Sequence, residues 1–188
     1  SMPYLLDAFD VGKYVMSEAG LETRIQKRIN AVLEEKDIPC SYVWAGDVID
    51  WDSDCKVTVL SPVPEFDEYS KTDWNEWSLI IRVEYATHSM IFTGDATVRS
   101  EQAAMLNNEK YLFDADVLKV PHHGVYNSKL EDYFSKVNMK YAVITCSDKN
   151  PAEQKTLDLL TAKGCRTFLT SNGTVHIRST KSGIYITQ

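Results

Sequence analysis

The chain of 188 residues is long enough for one domain with a sizeable core, and its composition, 44% hydrophobic and 25% charged, is that of an ordinary globular protein. Its net charge of −7 argues against sequence-independent binding of nucleic acid, since such binding depends on lysine and arginine contacts to phosphate. A metal-dependent nuclease is not excluded, because its metal offsets the substrate charge locally. No apolar run approaches the roughly 18 residues that a membrane span needs.

The first third of the chain is predicted to contain two helices and several short strands. The helices cover residues 3–9 and 21–37, and the second has an apolar face with a spacing of four residues, formed by Leu21, Ile25, Ile29 and Leu33. The strands are predicted at 13–17, at 41–51 on both sides of Gly46-Asp47, and at 56–62. A polar, aromatic loop is expected at 63–77.

The rest of the chain is predicted to contain a hairpin followed by repeated helix–strand units. The hairpin covers 78–95 and turns near Ala86-Thr87. Helices are expected at 96–108, 128–137 and 152–164, the last with Pro151 in its first turn, and strands at 115–120 and 141–146. The final segments, 166–170, 174–179 and 183–188, are predicted to form an antiparallel meander. This order predicts a layered α/β protein with a mixed sheet covered by helices.

The four cysteines, Cys40, Cys55, Cys146 and Cys165, form no C-x-x-C pair, so a zinc knuckle is not expected. Cys146 and Cys165 lie in apolar, strand-like settings, and free thiols are the simplest interpretation. A disulfide remains the alternative, although nothing in the sequence indicates an oxidising compartment.

Two polar motifs follow buried strands. Asp95 ends "MIFTGD", and "VLKVPHHG" places His122 and His123 just after another apolar strand. Loops at the carboxyl ends of parallel strands meet at one edge of a sheet, so these side chains predict a metal site with one carboxylate and imidazoles. Such ligands suit zinc, manganese or iron. The alternatives are a helix N-cap for Asp95 and a merely polar loop for the histidines.

The geometry of the histidine pair and the two remaining histidines limit the ligand set. Adjacent side chains of an extended segment point to opposite sides, so at most one of His122 and His123 is expected to face the metal, with the other beside it. His88 and His176 fall in predicted hairpin strands and are interpreted as structural.

The segments "SLIIRVEYATHSMIFTGDA", "ADVLKVPHHG", "YAVITCSDKNPAEQKTLDLLTAKG" and "FLTSNGTVHI", in this order, resemble the metallo-β-lactamase superfamily. The resemblance is to the branch formed by the C-terminal domain of the DNA-uptake protein ComEC and its free-standing relatives, and it covers nearly the whole chain. It implies a single domain over residues 1–188 with an αββα sandwich and a one- or two-metal site, usually zinc, with manganese as the alternative.

The resemblance also implies roles for five residues. Asp95 matches the metal-bridging aspartate of "TGD", and His123 matches the late histidine ligand, with His122 beside it; Asp95 and His123 would be the catalytic pair. Asn75 matches an asparagine that this branch has where others have a histidine, and Ser128 matches a serine after "HHG". Both would donate hydrogen bonds to substrate.

Three departures from the family pattern affect this expectation. Val125 stands where the branch has serine, and Asn150 stands where it has histidine before proline. The first metal motif, H-x-H-x-D-H, is absent from the 188 residues. The chain is therefore expected to be an N-terminally truncated domain without the first strands, or a natural relative that lost the motif.

The function expected from the resemblance is that of a metal-dependent hydrolase fragment, phosphodiesterase- or nuclease-like, inactive as this chain. The alternatives are a metal-free scaffold of the same fold and an unrelated α/β domain with a chance "HHG". The expected partners are a phosphodiester or single-stranded DNA and a second copy, bound through a sheet edge exposed by the missing strands. We expect a soluble chain, cytoplasmic or the soluble domain of a bacterial membrane protein.

Overall fold

The structure is a computed structural model that describes residues 2–18, 23–64 and 73–188. The predicted start of the second helix at Leu21 and positions 65–72 of the predicted loop lie outside the described residues. No helix in the described part of the chain is long and apolar enough to cross a membrane. All four cysteines are free thiols, and Cys165 is buried.

The described residues form five α-helices, eleven strands and short 3-10 turns. The helices are α1 (Met2–Ala8), α2 (Arg24–Glu35), α3 (Val98–Asn107), α4 (Leu130–Lys136) and α5 (Gln154–Ala162). The strands are β1 (Tyr14–Met16), β2 (Cys40–Tyr42), β3 (Val48–Asp52), β4 (Cys55–Ser61), β5 (Ile80–Tyr85), β6 (His88–Phe92), β7 (Val117–Lys119), β8 (Tyr141–Ile144), β9 (Arg166–Leu169), β10 (His176–Thr180) and β11 (Gly183–Thr187).

A seven-stranded mixed sheet dominates the fold, with the strands in chain order from β3 to β9. The first four strands are antiparallel. Tight turns join β3 to β4 and β5 to β6, the second at Ala86-Thr87, whereas residues 62–79 connect β4 to β5. From β6 onward the strands are parallel, because a helix separates each from the next. The predicted hairpin and the predicted mixed α/β architecture are confirmed.

The two faces of this sheet have different coverings. Strand alternation sends Leu118 toward the main core, where residues of α3, α4 and α5 pack on the sheet. Val117 points to the other face, with Val143 and Phe168, and packs against apolar residues of the β10–β11 hairpin. The carboxyl ends of β6, β7 and β8 all lie at one edge, between these two layers.

The N-terminal segment forms a small unit of its own. Strands β1 and β2 pair in parallel, and α1 packs on α2 through a cluster that includes Leu6, Ile29 and Leu33. The predicted apolar face of the second helix is correct at Ile29 and Leu33 and wrong at Ile25, whose side chain is exposed.

Two predictions for the last third of the chain are wrong. Strand β9 does not join a meander: it pairs in parallel with β8, since α5 carries the chain back across the sheet, and β10 and β11 form a separate antiparallel pair. Pro151 does not lie in the first turn of α5, because that helix begins at Gln154 with Glu153 as its N-cap residue.

Candidate metal-binding site

The candidate site lies where β6 and β7 end side by side. Thr93, fully buried after β6, donates a hydrogen bond from Oγ1 to the carbonyl oxygen of Lys119, 2.8 Å away, at the end of β7. This bond ties the two strand ends together. Asp95 follows two residues later, and its backbone N–H donates to Oγ of Ser78 at 3.2 Å.

The structure brings Asp95 and His123 together, as the sequence analysis expects. Oδ2 of Asp95 lies 3.4 Å from Nε2 of His123, and the side chains are 38% and 50% exposed. Exposure of this degree leaves the pair accessible from solvent.

The orientation of the His123 ring is set by the end of a third strand. Nδ1 of His123 lies 2.6 Å from the carbonyl oxygen of Thr145 and 3.1 Å from its Oγ1. Because a carbonyl oxygen only accepts hydrogen bonds, Nδ1 carries the proton and Nε2 turns toward Asp95. Metal-binding histidines are commonly held in this way, with the other ring nitrogen donating to a carbonyl or carboxylate.

The histidine pair is not extended. Residues Pro121–Gly124 form a 3-10 turn in which His122 and His123 have φ values of 43° and 56°. Gly124 follows with φ of +77°. The expectation that the two side chains point to opposite sides of an extended segment is therefore wrong. Left-handed backbone at two consecutive non-glycine residues is uncommon and is typical of functional turns.

His122 contacts the predicted substrate-binding asparagine. Its Nε2 lies 3.4 Å from Nδ2 of Asn75, which lies in the 3-10 turn Trp74–Trp77. An amide NH2 donates, so Nε2 of His122 is the acceptor in this contact and is already engaged. The ring centroids of His122 and His123 are 6.3 Å apart. His122 thus lies beside the Asp95–His123 pair and is oriented toward Asn75.

Ser128 is exposed in the turn that leads into α4. In the described part of the chain, no hydrogen bond joins it to Asp95, His122 or His123. The structure therefore brings together four of the five predicted site residues and leaves the fifth on a neighbouring segment.

Lys119 is a member of this cluster that the sequence analysis missed. Its Nζ lies 3.6 Å from Oδ1 of Asp95 and donates a hydrogen bond to the carbonyl oxygen of Gly94. Burial lowers the pKa of the Lys119 ammonium group, and the neighbouring Asp95 carboxylate opposes that shift. A lysine inside the apolar run "VLKV" was the available signal, since a buried cation at the end of a strand needs a nearby anion.

The two other histidines lie apart from this cluster. His88 begins β6, with Nδ1 3.7 Å from Oδ2 of Asp116, and His176 begins β10, where its side chain is exposed. In the described residues there is no group of three or more histidine, cysteine, aspartate and glutamate side chains that could hold a metal.

Comparison with known proteins gives two relatives by sequence, and no family model matches the chain. The chain is 32% identical over 178 residues to ComE operon protein 3 of Bacillus subtilis (strain 168), which covers 93% of this chain and 22% of that protein. It is 34% identical over 76 residues to the uncharacterized protein YcaI of Escherichia coli (strain K12), covering 40% of this chain and 10% of that protein. The chain thus spans less than a quarter of the length of either relative.

Two solved structures have a similar fold. One is a proposed metal-dependent hydrolase from Parabacteroides distasonis, with a TM-score of 0.52 and 14% identity over 88% of this chain and 79% of the other. The second is Igni18, a metallo hydrolase from the archaeon Ignicoccus hospitalis, with a TM-score of 0.52 and 10% identity over 94% of this chain and 69% of the other. The resemblance to ComE operon protein 3 is thereby confirmed over 178 residues, and the chain shares its fold with these two structures.

Proposed function

We propose that this chain forms part of the metal site of a phosphodiesterase-like hydrolase, with Asp95 and His123 as ligands. The observation that supports this most is the 3.4 Å approach of Oδ2 of Asp95 to Nε2 of His123. Nδ1 of that ring is engaged by the Thr145 carbonyl, so Nε2 and the carboxylate face each other as two electron-pair donors. Such a pair is stabilised by a proton on Nε2 or by a cation that both atoms bind.

The donors fit part of a divalent metal site. One carboxylate oxygen and one imidazole nitrogen suit zinc, or manganese as the alternative, but catalytic zinc typically has three protein ligands. His122 could add a third ligand only by giving up its contact with Asn75. Residues 1–188 contain no H-x-H-x-D-H motif that would supply the others. We therefore expect weak metal binding and no turnover by this chain alone.

The side chains around the pair would have defined tasks when a metal is bound. The metal would supply Lewis-acid polarisation of a phosphoryl oxygen. Asp95 would place its carboxylate between the ends of β6 and β7, and His123 would keep its ring fixed on Thr145. The second amide proton of Asn75 is directed away from His122 and could donate to a substrate oxygen, and Ser128 could donate from the adjoining segment.

The same relationship supports a proposed fold and a proposed physiological role for the chain. We propose that residues 1–188 form a single αββα domain, in which α3 to α5 and the large sheet supply one pair of layers. Competence-related DNA uptake, with single-stranded DNA as substrate, is the physiological role we propose, because the chain is related to ComE operon protein 3 over 178 residues.

A second candidate function is a metal-free scaffold, and Lys119 favours it. Its ammonium group lies 3.6 Å from Oδ1 of Asp95 and already supplies a positive charge to that carboxylate. If the Lys119 ammonium group balances the charge of the Asp95 carboxylate, the site keeps its fold when no metal is bound.

Calorimetric titration with Zn²⁺ at pH 7.5 distinguishes the two functions. For a metal site we expect measurable binding that weakens at least about tenfold in both Asp95→Asn and His123→Gln. The matched control is His176→Gln, which removes an exposed histidine of β10 and should leave the affinity unchanged. Equal, weak binding by all four proteins would favour the scaffold and contradict the metal site.

A further inference from the structure

We propose that Glu101 is a positioning residue of the Asp95–His123 cluster: its buried carboxyl group holds the segment after His123 against the helix that follows Asp95. This inference rests on the proposed function for the importance of the cluster. The hydrogen bond between Glu101 and Asn127, on which the inference is based, is a separate feature of the fold and can be tested without metal.

The two loops of the cluster lead into two helices that touch. Asp95 is followed by α3, which begins at Val98, and His123 is followed by the turn that leads into α4 at Leu130. Helices α3 and α4 pack against each other. A side chain between them can therefore set the position of both loops.

Glu101 occupies this position. Its side chain is fully buried, and Oε2 accepts a hydrogen bond from Nδ2 of Asn127 at 3.4 Å. Asn127 in turn accepts the N–H of Lys129 on Oδ1 at 2.9 Å and the N–H of Leu130 on its carbonyl oxygen at 3.2 Å. The contact therefore anchors the residue that organises the start of α4, and Ser128 lies between these bonds.

Among the described residues around Glu101, no cation forms an ion pair with its carboxyl group. From α4 it faces Tyr133, whose buried hydroxyl group, like Oε1 of Glu101, has no hydrogen-bond partner in the described part of the chain. From the 3-10 turn Trp74–Trp77, Glu76 lies 3.6 Å from Arg99. The only charged residue of β4, Lys56, is exposed. Burying a carboxyl group without a neighbouring cation costs free energy. The structural contribution of the Glu101 carboxyl group is its hydrogen bond with Asn127.

Burial raises the pKa of Glu101 to about 7, although the hydrogen bond from Asn127 opposes the shift. Protonated and charged forms are therefore both present near neutral pH. A carboxylate is a stronger hydrogen-bond acceptor than a protonated carboxyl group. The hydrogen bond from Asn127 to Glu101 therefore becomes stronger as the pH rises through this range.

Carbon-13 NMR of the metal-free protein tests the contact directly. We expect the Glu101 carboxyl carbon to titrate with a midpoint of about 7, and the side-chain amide signals of Asn127 to follow the same midpoint. In Glu101→Gln the side-chain amide signals of Asn127 should no longer titrate with this midpoint. In the exposed control Glu131→Gln they should titrate as in the wild type. Asn127 signals that do not titrate with Glu101 in the wild type, or that titrate unchanged in Glu101→Gln, would overturn the proposal.

Amide hydrogen exchange tests the positioning role. Glu101→Met fills a similar volume without an acceptor, and we expect the Lys129 and Leu130 amides to exchange about tenfold faster in it than in the wild type. Glu101→Gln should restore protection, because its amide oxygen can accept from Asn127. Equal protection in Glu101→Met and the wild type would refute the role. If Glu101→Met does not fold, the NMR comparison with Glu101→Gln still decides.

Zn²⁺ affinity separates this inference from the proposed function. If the wild type binds Zn²⁺, we expect Glu101→Met to weaken binding at least about tenfold and Glu101→Gln to bind as the wild type does. A folded Glu101→Met with unchanged affinity would contradict the positioning role. If no variant binds Zn²⁺, the metal site fails, and hydrogen exchange still decides the role of Glu101.

Discussion

Nδ1 of His123 lies 2.6 Å from the carbonyl oxygen of Thr145, and this contact determines which ring nitrogen faces Asp95. The end of β8 thus contributes to a site whose charged groups come from the ends of β6 and β7. Three neighbouring strand ends act together because parallel strands present their carboxyl ends at one edge of the sheet.

Removing the charge of Lys119 should strengthen metal binding. Its ammonium group lies 3.6 Å from Oδ1 of Asp95 and repels any cation bound to the same carboxylate. We expect Lys119→Met to raise the affinity for Zn²⁺ at least about tenfold, with Lys119→Arg close to the wild type. Calorimetric titration measures the difference, with the exposed Lys181→Met as control. Lower or unchanged affinity in Lys119→Met would mean that the lysine does not compete with a metal.

Position 124, in the turn that contains the two histidines, should accept only glycine without loss of stability. Gly124 has φ of +77°, and an added Cβ would lie 3.1 Å from both Cβ of Ala152 and Cγ2 of Ile144. We expect Gly124→Ala to lower the free energy of unfolding by about 2–5 kcal/mol, the sum of backbone strain and overpacking.

The control is Gly164→Ala, because Gly164 has a similar φ of +73° but nothing within 4 Å of the added Cβ. Only backbone strain applies there, so the loss in urea unfolding should be about 1–2 kcal/mol. Equal losses at the two positions would show that the close packing of Gly124 on β8 and on Ala152 has no energetic effect.

The stability of the fold should fall as Glu101 loses its proton. Its pKa is about 7 in the folded protein, against an ordinary value of 4.5, so the folded state binds the proton more tightly than the unfolded state. Its contribution is fully present below about pH 4.5 and is lost progressively as the pH rises to about 7, a change on the order of 3 kcal/mol.

Urea unfolding at a series of pH values checks this prediction. We expect the loss between pH 4.5 and 7 to be smaller in Glu101→Gln than in the wild type, because glutamine does not titrate. Glu131→Gln should follow the wild type. Parallel pH profiles for wild type and Glu101→Gln would show that Glu101 is not the group responsible.

The chain should self-associate through the edge strand β3. This strand ends the large sheet and exposes Val48 by 59% and Trp51 by 73%. Exposed edges of this kind template pairing with another chain, while the exposed Asp50 and Asp52 oppose pairing by like-charge repulsion. We therefore expect a weak homodimer that tightens with salt, as screening reduces the repulsion.

Sedimentation velocity across a concentration series measures this association. Trp51→Glu should weaken it, whereas Tyr111→Glu, at another exposed aromatic residue, should not. A monomer at every concentration and salt level would rule out pairing at this edge.

Much of the fold could be predicted because the relevant signals are local. Two apolar segments on either side of a turn near Ala86-Thr87 specify the β5–β6 hairpin, and apolar runs that end at Asp95 and Pro121 specify two strand ends. Topology then places these ends together. The approach of Asp95 to His123 follows from the chain order alone, since both lie just after neighbouring parallel strands.

The errors occurred where distant packing outweighs local pattern. Residues 166–170 are followed closely by two further predicted strands, which favours a meander, but α5 carries the segment back to pair with β8. Ile25 matches the helical apolar spacing, yet the small N-terminal unit does not cover it. No local signal distinguishes a covered from an uncovered face.

The sequence by itself determined the mixed α/β class, the hairpin and the placement of Asp95 and His123 at one sheet edge, because periodicity and chain order act over short distances. Only the tertiary structure decided the left-handed turn of His122 and His123, the ion pair of Lys119 with Asp95 and the burial of Glu101 beside Asn127. These three features depend on atoms from segments far apart in the chain. Their energies arise from close contact and from exclusion of water, which exist only once those segments have packed.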